Sequence, residues 1–303
     1  DEVIARRRLI KVDPKTTVTK VPKVVHFVLA GTPPGFMMKV IEYSTKVIKS
    51  HGFKVMVHRD DDCEELIREN YPKVLPAWEL LKDNPKFDKG TRMADFLRVV
   101  VLYHYGGIYL DGDMLSCQDL SELREVPGMA SFPVVLSKSH QLVNAVMSGP
   151  PKHLMWQIAL DIMIEKGEGI VNEHILAATG PSMMATAFDT YCDVLDLTPP
   201  IRFDDPQIMP EPEDENAHWF TVGDVRLGAL KRGARRSSRG LGNPKALGLQ
   251  HFHWGSWGDN NKANTECNRN YDLIDPFLDY QCKYMPSPAH WRECGTQQDM
   301  ERF

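Results

Sequence analysis

The stretch that decides the fold of this 303-residue chain is Met93–Met114, MADFLRVVVLYHYGGIYLDGDM. Its first part has apolar residues at positions 93, 96, 97, 100 and 101, a spacing that predicts a helix with one buried face. Gly106–Gly107 ends such a helix and turns the chain, because glycine adopts backbone angles that other residues avoid. Ile108–Leu110 then predicts a short buried strand, so the chain passes from helix to strand as α/β folds do.

Two carboxylates follow this predicted strand directly, in Asp111-Gly112-Asp113. Carboxylates at the end of a buried strand cost free energy unless a cation or hydrogen-bond donors meet them. The carboxyl end of a parallel sheet is also where α/β proteins hold ligands. The pair therefore predicts a site for a hard divalent ion, Mn²⁺ or Mg²⁺, that also holds phosphate oxygens. Asp-Gly-Asp occurs in ordinary turns as well, so the prediction depends on this context.

Asp95 and Arg98 lie three residues apart in the predicted helix and share a face directed at the same end of the sheet. The residues alone leave two interpretations open, a structural ion pair and a part of the carboxylate site.

Two histidines, His251 and His253, occur late in the chain beside two tryptophans. Imidazole suits Mn²⁺ as a further protein ligand, and a tryptophan face suits a sugar or a base. A lone histidine is more often a structural hydrogen-bonding group, which is the interpretation favoured for His26 and His58.

The chain on either side of the central stretch predicts alternating strands and helices. The predicted strands are 24–31, 53–58 and 130–136, and the predicted helices are 36–51, 64–70, 77–81, 153–166 and 183–191. Arg59–Asp62 is predicted to be a polar turn. An alternation that begins with buried β-branched strands predicts a parallel sheet covered by helices.

Composition and charge restrict the classes of function. A net charge of -5 and a pI near 6.1 argue against general nucleic-acid binding. No stretch is long enough to cross a bilayer, so membrane contact is expected only through a segment outside this sequence. The sequence contains neither a GxGxxG loop, a Walker motif nor a GxSxG elbow, which argues against several common enzyme classes.

Two further features concern the surface and the compartment. Lys231–Gly240 is strongly basic, and both a solvated loop and a flap that meets phosphates remain open. None of the six cysteines has CxxC spacing, so a structural zinc site is not expected. Cys267, Cys282 and Cys294 crowd the C-terminal part, where a disulfide is expected if the compartment is oxidising.

The residues described above resemble those of glycosyltransferase family thirty-two, whose members carry an Asp-x-Asp sugar-binding region. The family includes initiating α-1,6-mannosyltransferases, inositol-phosphoceramide mannosyltransferases and α-1,4-galactosyl- and N-acetylglucosaminyltransferases. Val21–His26 is similar to the family's opening Ile-Pro-Lys-Ile-Ile-His, and Ala94–Asp113 to its Ser-Asp-Leu-Leu-Arg to Gly-Gly-Ile-Tyr-x-Asp-x-Asp block. The later matching positions are Asn144, His153, Thr179-Gly180-Pro181, His251 and Ser256-Trp257. Ala94 departs from the usual serine, and residues 201–248 show no match.

The resemblance implies an α/β protein of the GT-A fold, a single domain around a mostly parallel, Rossmann-like sheet. Residues 1–20 are then a lead-in or stem remnant, 21–258 the catalytic domain, and 259–303 a tail packed on that domain. The implied location is the Golgi or secretory lumen, as a trimmed type II protein, with a cytoplasmic location as the alternative.

The activity that the resemblance implies is metal-dependent transfer of a hexose, with retention of configuration, from a nucleotide-sugar to a glycan or glycolipid hydroxyl. The preferred donor is GDP-mannose, with Mn²⁺ (or Mg²⁺) as cofactor. A UDP-sugar-dependent galactosyl-, glucosyl- or N-acetylglucosaminyltransferase is the alternative. A non-catalytic nucleotide-sugar or carbohydrate-binding module is the alternative from another class.

The resemblance also implies a role for each matched residue. Asp113 binds the metal directly, Asp111 contacts the ribose or sugar and the metal through water, and His251 completes the metal site. His253 is a further metal-ligand candidate, from the pair of histidines and not from the resemblance. The implied catalytic residues are Asp95, Arg98, Asp111 and Asp113, with Asp95 on the sugar or ribose and Arg98 beside the donor. Further nucleotide contacts are assigned to Val25, His26, Phe27, Ser256 and Trp257. Contacts to the acceptor or the sugar are assigned to Asn144, Thr179, Gly180 and Pro181.

Overall fold

The computed structural model describes residues 20–31, 33, 35–86, 88–125, 130–132, 135–136, 141–198, 219–228, 249–251, 278–279 and 282. The basic segment Lys231–Gly240 lies outside these residues. Among the residues described, no helix combines the length and the apolar composition that a membrane crossing requires.

Strands and helices alternate along the first part of the chain, as predicted. The strands are β1 (Val24–Leu29), β2 (Lys54–Arg59), β3 (Gly107–Leu110), β4 (Met114–Ser116), β5 (Ala130–Phe132), β6 (Val135–Leu136), β7 (Gln141–Leu142), β8 (Val146–Gly149), β9 (Trp219–Val222), β10 (Val225–Gly228) and β11 (Leu249–His251). The helices are α1 (Gly35–Ser50), α2 (Asp60–Asn70), α3 (Leu75–Lys82), α4 (Lys89–Tyr105), α5 (Leu154–Glu165), α6 (Gly169–Asn172), α7 (Ile175–Ala178) and α8 (Pro181–Leu195). A short 3₁₀ helix spans Ser121–Arg124.

Seven strands form one sheet in the order β2-β1-β3-β8-β5-β10-β9. β1 runs parallel to both β2 and β3, and β5 runs parallel to β10. β8 is antiparallel to both of its neighbours, and β9 is antiparallel to β10. Five of the seven strands therefore point in one direction, which confirms the predicted α/β class and its mostly parallel sheet.

Strand β1, which lies between β2 and β3, is buried on both faces, as expected for a parallel strand between helices. Val25, Phe27 and Leu29 pack in one hydrophobic cluster with residues of α1. Val28, on the opposite face, packs in a second cluster with α4 and α5. The alternation of side chains along the strand thus places α1 on one face and α4 on the other.

The predicted helix, glycine break and strand of the central stretch are confirmed, although α4 begins four residues earlier than predicted, at Lys89. Gly106 (φ 62°) and Gly107 (φ 100°) both adopt left-handed backbone angles. A Cβ at Gly106 would lie 2.6 Å from Pro151, and one at Gly107 would lie 2.7 Å from the Val24 carbonyl oxygen. Only glycine fits both the angles and the space, so the helix stops here and β3 enters the sheet beside β1.

The prediction of a polar turn at Arg59–Asp62 is wrong. Arg59 ends β2, and α2 begins at the next residue, Asp60. Three aspartates occupy the first turn of α2, where negative charge is favourable because the helix N-terminus carries partial positive charge. The Asp62 carboxylate also accepts a hydrogen bond from the Arg59 backbone N–H, at 2.9 Å.

Two residues of the C-terminal part, Asp279 and Cys282, contact the α1–β4 side of the domain. Leu278 is buried, and Asp279 accepts a hydrogen bond of 2.7 Å from the Tyr43 hydroxyl. Cys282 forms a disulfide with Cys117, which follows β4 directly. The disulfide therefore joins one of the three C-terminal cysteines to the centre of the chain, and the domain boundaries at 20 and 258 stay a prediction.

Candidate functional site

The Asp-Gly-Asp turn lies where β3 ends. The Asp111 backbone N–H donates to the Ala145 carbonyl at 2.8 Å, and the Met114 N–H donates back to the Asp111 carbonyl at 3.0 Å. A Cβ at Gly112 would lie 2.6 Å from Met37 Sδ and 3.5 Å from Ile41 Cδ1. Helix α1 thus packs directly on the turn, and the residue between the two aspartates has room only for a hydrogen side chain.

The Asp111 carboxylate is held on one side. Its Oδ1 accepts a hydrogen bond from the Tyr109 hydroxyl at 2.6 Å and lies 3.1 Å from Arg98 Nη1. The side chain of Asp111 is nevertheless 24% exposed. One carboxylate oxygen is therefore fixed by the protein while the group still faces outward. Asp113 is largely buried beside it.

Arg98 joins the helix α4 to this turn. Its Nη2 lies 2.9 Å from Asp95 Oδ1, while its Nη1 contacts Asp111 and donates to the Asn144 carbonyl at 2.8 Å. The guanidinium also lies over the Tyr109 ring, with Cζ 4.7 Å from the centroid. Asp95, Arg98 and Asp111 therefore form one connected cluster, so the pair on α4 is part of the carboxylate site as well as an ion pair.

The cluster is buried, and burial dominates its electrostatics. Burial raises the pKa of Asp95, whereas the Arg98 guanidinium and the donors of Asn144 and Thr179 lower it. Burial lowers the pKa of Arg98, but the surrounding carboxylates and Tyr109 outweigh it and keep that pKa above its ordinary value. The net effect is a pKa above the ordinary value for Asp95, because burial outweighs its hydrogen-bond donors and Arg98, while Arg98 itself stays charged.

Two loops from later in the chain complete the surroundings of Asp95. Asn144 Nδ2 donates to Asp95 Oδ1 at 3.0 Å, and Thr179 Oγ1 donates to Asp95 Oδ2 at 3.2 Å. A Cβ at Gly180 would lie 3.1 Å from the Ile175 carbonyl oxygen and 3.4 Å from Asp95 Oδ2. Pro181 follows as the first residue of α8.

The backbone of His251 lies next to the carboxylate turn. β11 pairs with β4 in antiparallel fashion, and His251 is opposite Met114, the residue after Asp113. Residues opposite each other in such a pair have Cα atoms about 4.5–5.5 Å apart. The structure therefore brings this late segment to the turn, as the sequence predicted. The side chain of His251 and all of His253, Ser256 and Trp257 lie outside the described residues.

The three nucleotide-contact candidates of β1, Val25, His26 and Phe27, are fully buried within the strand. His26 Nε2 donates to the Gly106 carbonyl at 2.9 Å, so its Nδ1 accepts from His58 Nε2, also at 2.9 Å. Burial and the neighbouring His58 lower the pKa of His26 to about 3, and burial lowers the pKa of His58 to about 4. These contacts are those of a structural hydrogen-bonding pair.

Sequence reasoning missed Tyr109 as a member of the cluster. The signal was present, because residues 109 and 111 are two apart on an extended segment and so point to the same face. It also missed Met37 and Ser44 of α1. Ser44 Oγ donates to the Met114 carbonyl at 3.3 Å and accepts from the Ser116 N–H at 3.0 Å, which fastens β4 to α1.

The donor set at the turn fits a hard divalent cation. Asp111 and Asp113 are two carboxylates within one short turn, and Mn²⁺ and Mg²⁺ prefer oxygen ligands. Among the residues whose side chains the structure describes, no group of three or more His, Cys, Asp or Glu side chains gathers to hold a metal.

Comparison with known proteins identifies similar chains. Residues 35–129 match the family model described as glycosyltransferase sugar-binding region containing DXD motif. The chain is 30% identical over 181 residues to mannosyl phosphorylinositol ceramide synthase SUR1 of Saccharomyces cerevisiae, covering 54% of this chain and 44% of that protein. It is 26% identical over 208 residues to inositol phosphoceramide mannosyltransferase 2 of Schizosaccharomyces pombe, covering 66% of this chain and 56% of that one. These matches confirm the family resemblance.

The chain thus spans about half the length of the curated relatives it matches. Among solved structures, the PaToxG glycosyltransferase is similar at a TM-score of 0.45 and 15% identity, over 64% of this chain and 80% of that chain.

Proposed function

Because residues 35–129 carry the DXD-containing sugar-binding region of glycosyltransferases, we propose that the chain transfers mannose from a nucleotide-sugar to the headgroup hydroxyl of a glycolipid. The names of the two curated relatives support mannose as the sugar and an inositol phosphoceramide as the acceptor. Transfer of a hexose is the more general part of this proposal. GDP-mannose as donor and retention of configuration are its more specific parts.

One observation carries the proposal: a buried arginine joins the DXD turn to Asp95. Arg98 contacts Asp95 and Asp111 at 2.9 and 3.1 Å, and Asp111 keeps an exposed face at the end of β3. A structural ion pair needs only two partners. A cluster that fixes one oxygen of an outward-facing carboxylate is instead suited to hold a ligand in a set orientation.

Asp113 and Asp111 would hold the divalent cation, Mn²⁺ or Mg²⁺. Asp111 Oδ1 is engaged by Arg98 and Tyr109, so on this proposal Asp111 would contact the metal through water and Asp113 would be the direct ligand. His251 would be a third ligand, which the pairing of its backbone opposite Met114 supports, and His253 lies two residues further on. When bound, the metal acts as a Lewis acid on the diphosphate leaving group.

The residues around the metal would bind and orient the donor. Arg98 is fixed beside Asp111 and supplies positive charge near the departing diphosphate, where negative charge develops. The acceptor hydroxyl attacks the anomeric carbon from the face that the diphosphate leaves, so the new C–O bond forms as the old one breaks. The hydroxyl proton passes to the departing phosphate oxygen. This route retains configuration and needs no second carboxylate as nucleophile, unlike a retaining glycosidase.

The compartment proposed is the Golgi or secretory lumen. The Cys117–Cys282 disulfide supports it, because disulfides persist in oxidising compartments. The partners proposed are the nucleotide-sugar donor and a glycolipid acceptor.

The proposal is tested by a donor panel followed by a transfer assay. GDP, UDP, GDP-mannose and UDP-hexoses are each added with Mn²⁺, and the melting temperature is measured, because a ligand that binds only the native state stabilises it. GDP-mannose is expected to raise the melting temperature only with metal present. If a UDP-sugar raises the melting temperature instead, the proposed donor GDP-mannose is wrong and the UDP-sugar takes its place. If a nucleotide-sugar binds but is never turned over, the result favours a non-catalytic module.

Transfer is then measured with inositol phosphoceramide in detergent. Asp113→Asn is expected to lower turnover by at least about a thousandfold, since it removes the direct metal ligand, while its melting temperature without ligand stays close to that of wild type. Asp119→Asn, at an exposed aspartate beyond β4, is the matched control. Wild-type turnover that survives both Asp113→Asn and removal of metal would contradict the proposal.

A further inference from the structure

Two loop residues that follow Asp95 in the chain, Asn144 and Thr179, are engaged by its carboxylate rather than by anything outside the protein. Thr179 is fully buried, and its one hydroxyl proton is donated to Asp95 Oδ2 at 3.2 Å. This hydroxyl has no solvent exposure and already donates its proton to a carboxylate. It is therefore poorly placed to bind a separate acceptor molecule.

Asn144 meets the same carboxylate from the other side. Its Nδ2 donates to Asp95 Oδ1 at 3.0 Å, and its backbone carbonyl accepts from Arg98 Nη1 at 2.8 Å. One residue therefore fixes both members of the Asp95–Arg98 pair, with its side chain on the carboxylate and its backbone on the guanidinium. Only 5% of Asn144 is exposed.

We propose that Thr179 and Asn144 are positioning residues, which hold the Asp95 carboxylate, and through it Arg98, in the orientation that the donor sugar requires. This inference rests on the proposed function and replaces the role of acceptor or sugar contacts that the family resemblance implies for these two residues. Both lie outside residues 35–129, so the sugar-binding region needs residues beyond its own end to set the geometry of Asp95.

The Thr-Gly-Pro sequence explains how the loop reaches Asp95. Gly180 brings the backbone so close that a Cβ would contact the Ile175 carbonyl and the Leu176 Cα, both at 3.1 Å. Pro181 occupies the first position of α8, where proline is well tolerated because the N–H it lacks has no partner within the helix. Gly180 thus lets the Thr179 side chain come close to Asp95, and Pro181 starts α8 directly afterwards.

The network leaves Asp95 little freedom. Oδ1 accepts from Arg98 and Asn144, and Oδ2 accepts from Thr179. A carboxylate held at both oxygens has one rotamer, and the guanidinium that it holds is then directed at Asp111. Loss of the Thr179 donor releases Oδ2 and weakens the orientation of the whole cluster.

The test uses Thr179→Val, which keeps the shape of the side chain and removes the hydroxyl, and Thr179→Ser, which keeps the hydroxyl. The donor is the nucleotide-sugar that gives turnover with the wild-type protein, GDP-mannose on the proposal above. Two reactions are followed: transfer to the acceptor, and hydrolysis of the donor by water when no acceptor is present. Thr186→Val, on the exposed face of α8, is the matched control, because its hydroxyl bonds only the Ser182 carbonyl.

A positioning role predicts that Thr179→Val lowers kcat for hydrolysis and for transfer by the same factor, roughly tenfold or more, at unchanged acceptor KM. Thr179→Ser should restore both rates to within about threefold of wild type. Asn144→Ala should repeat the pattern of Thr179→Val. Assays are run well below the melting temperature of each variant, so that the folded fraction is the same.

Three results would overturn the inference. An acceptor KM that rises in Thr179→Val while donor hydrolysis is unchanged would make Thr179 an acceptor contact. Rates equal to those of wild type and of Thr186→Val would remove any role in the reaction. Slow turnover that Thr179→Ser fails to restore would indicate a packing effect. Failure of the wild-type protein to turn over any nucleotide-sugar is a different outcome, which overturns the proposed function itself.

Discussion

Replacement of Arg98 by methionine should destabilise the protein far more than loss of an ordinary salt bridge. The guanidinium is 4% exposed and contacts two carboxylates, at 2.9 and 3.1 Å, together with the backbone carbonyl of Asn144. Methionine fills similar volume but leaves Asp95 and Asp111 without a cation. Breaking a buried pair by removing one partner costs about 3–5 kcal/mol, because it leaves uncompensated buried charge.

A matched control lies on α2. Arg68 pairs with Glu64 at 2.9 Å and Glu79 at 3.5 Å, but its side chain is 51% exposed. Exposed pairs contribute about 0–1 kcal/mol, so Arg68→Met should change stability by no more than that. Both variants also lose the same side-chain charge and gain the same methionine. Their difference therefore isolates the effect of burial, which we expect to be about 3 kcal/mol or more.

The assay is urea unfolding of both variants and of the wild type, followed by circular dichroism and tryptophan fluorescence. The free energy of unfolding should fall in Arg98→Met at an unchanged dependence on urea concentration. Asp111→Asn removes one of the two carboxylates that Arg98→Met leaves without a cation. In the Asp111→Asn background, the loss in free energy of unfolding caused by Arg98→Met should therefore be smaller by about 1–3 kcal/mol. Equal free energies for Arg98→Met and Arg68→Met, or a cost unaffected by Asp111→Asn, would refute the view that Arg98 compensates both the buried Asp95 and the partly exposed Asp111.

Two further predictions concern the turn and the histidine pair. Gly112→Ala should cost about 1–3 kcal/mol of stability, since its Cβ would lie 2.6 Å from Met37 Sδ. Adding Met37→Ala to the Gly112→Ala variant should recover most of that cost, measured by thermal melts. If the stability loss persists in the double variant, the steric clash of the added Cβ is not with Met37. His26 and His58 have folded pKa values lowered to about 3 and about 4, so below pH 6.5 the unfolded chain binds protons that the folded chain does not, and stability falls as the pH drops. Between pH 7 and pH 5 each of these two histidines should contribute about 2 kcal/mol to this loss of stability. In urea unfolding, His58→Gln should therefore make stability depend less on pH. The control is His51→Gln, at an exposed histidine, which should show the same pH dependence as the wild type.

The central part of the fold followed from local patterns. The apolar period of α4, the two glycines and the short apolar strand each depend on residues close in sequence, so they could be predicted. The start of α2 at Asp60 could not be predicted, because a cluster of acidic residues is typical both of a polar turn and of the first turn of a helix. The antiparallel β8 was also missed, since the four residues Val146–Gly149 are too short to show a period.

The candidate site was predictable only in part, for a related reason. Asp111 and Asp113 are neighbours in sequence, and Asp95 with Arg98 share a helix face, so their patterns are local. Asn144 lies 49 residues from Asp95, and Thr179 lies 84 residues from it. No periodicity relates side chains at such separations. The resemblance to a family implied that the loops of Asn144 and Thr179 lie near the site. Only the hydrogen bonds show that both residues contact Asp95.

The turn that carries the two aspartates is held on every side that the structure describes. Asp111 is fixed through its carboxylate by Arg98 and Tyr109, while Met114 is fixed through its backbone by Ser44 of α1 and by the pairing of β4 with β11. Asp113 lies between these two fixed residues in the sequence, which restricts its backbone. A turn restricted in this way loses little further freedom when a ligand binds, which favours the ligand. Because β11 supplies one of these constraints, the geometry at Asp113 depends on a strand that enters the fold more than a hundred residues later.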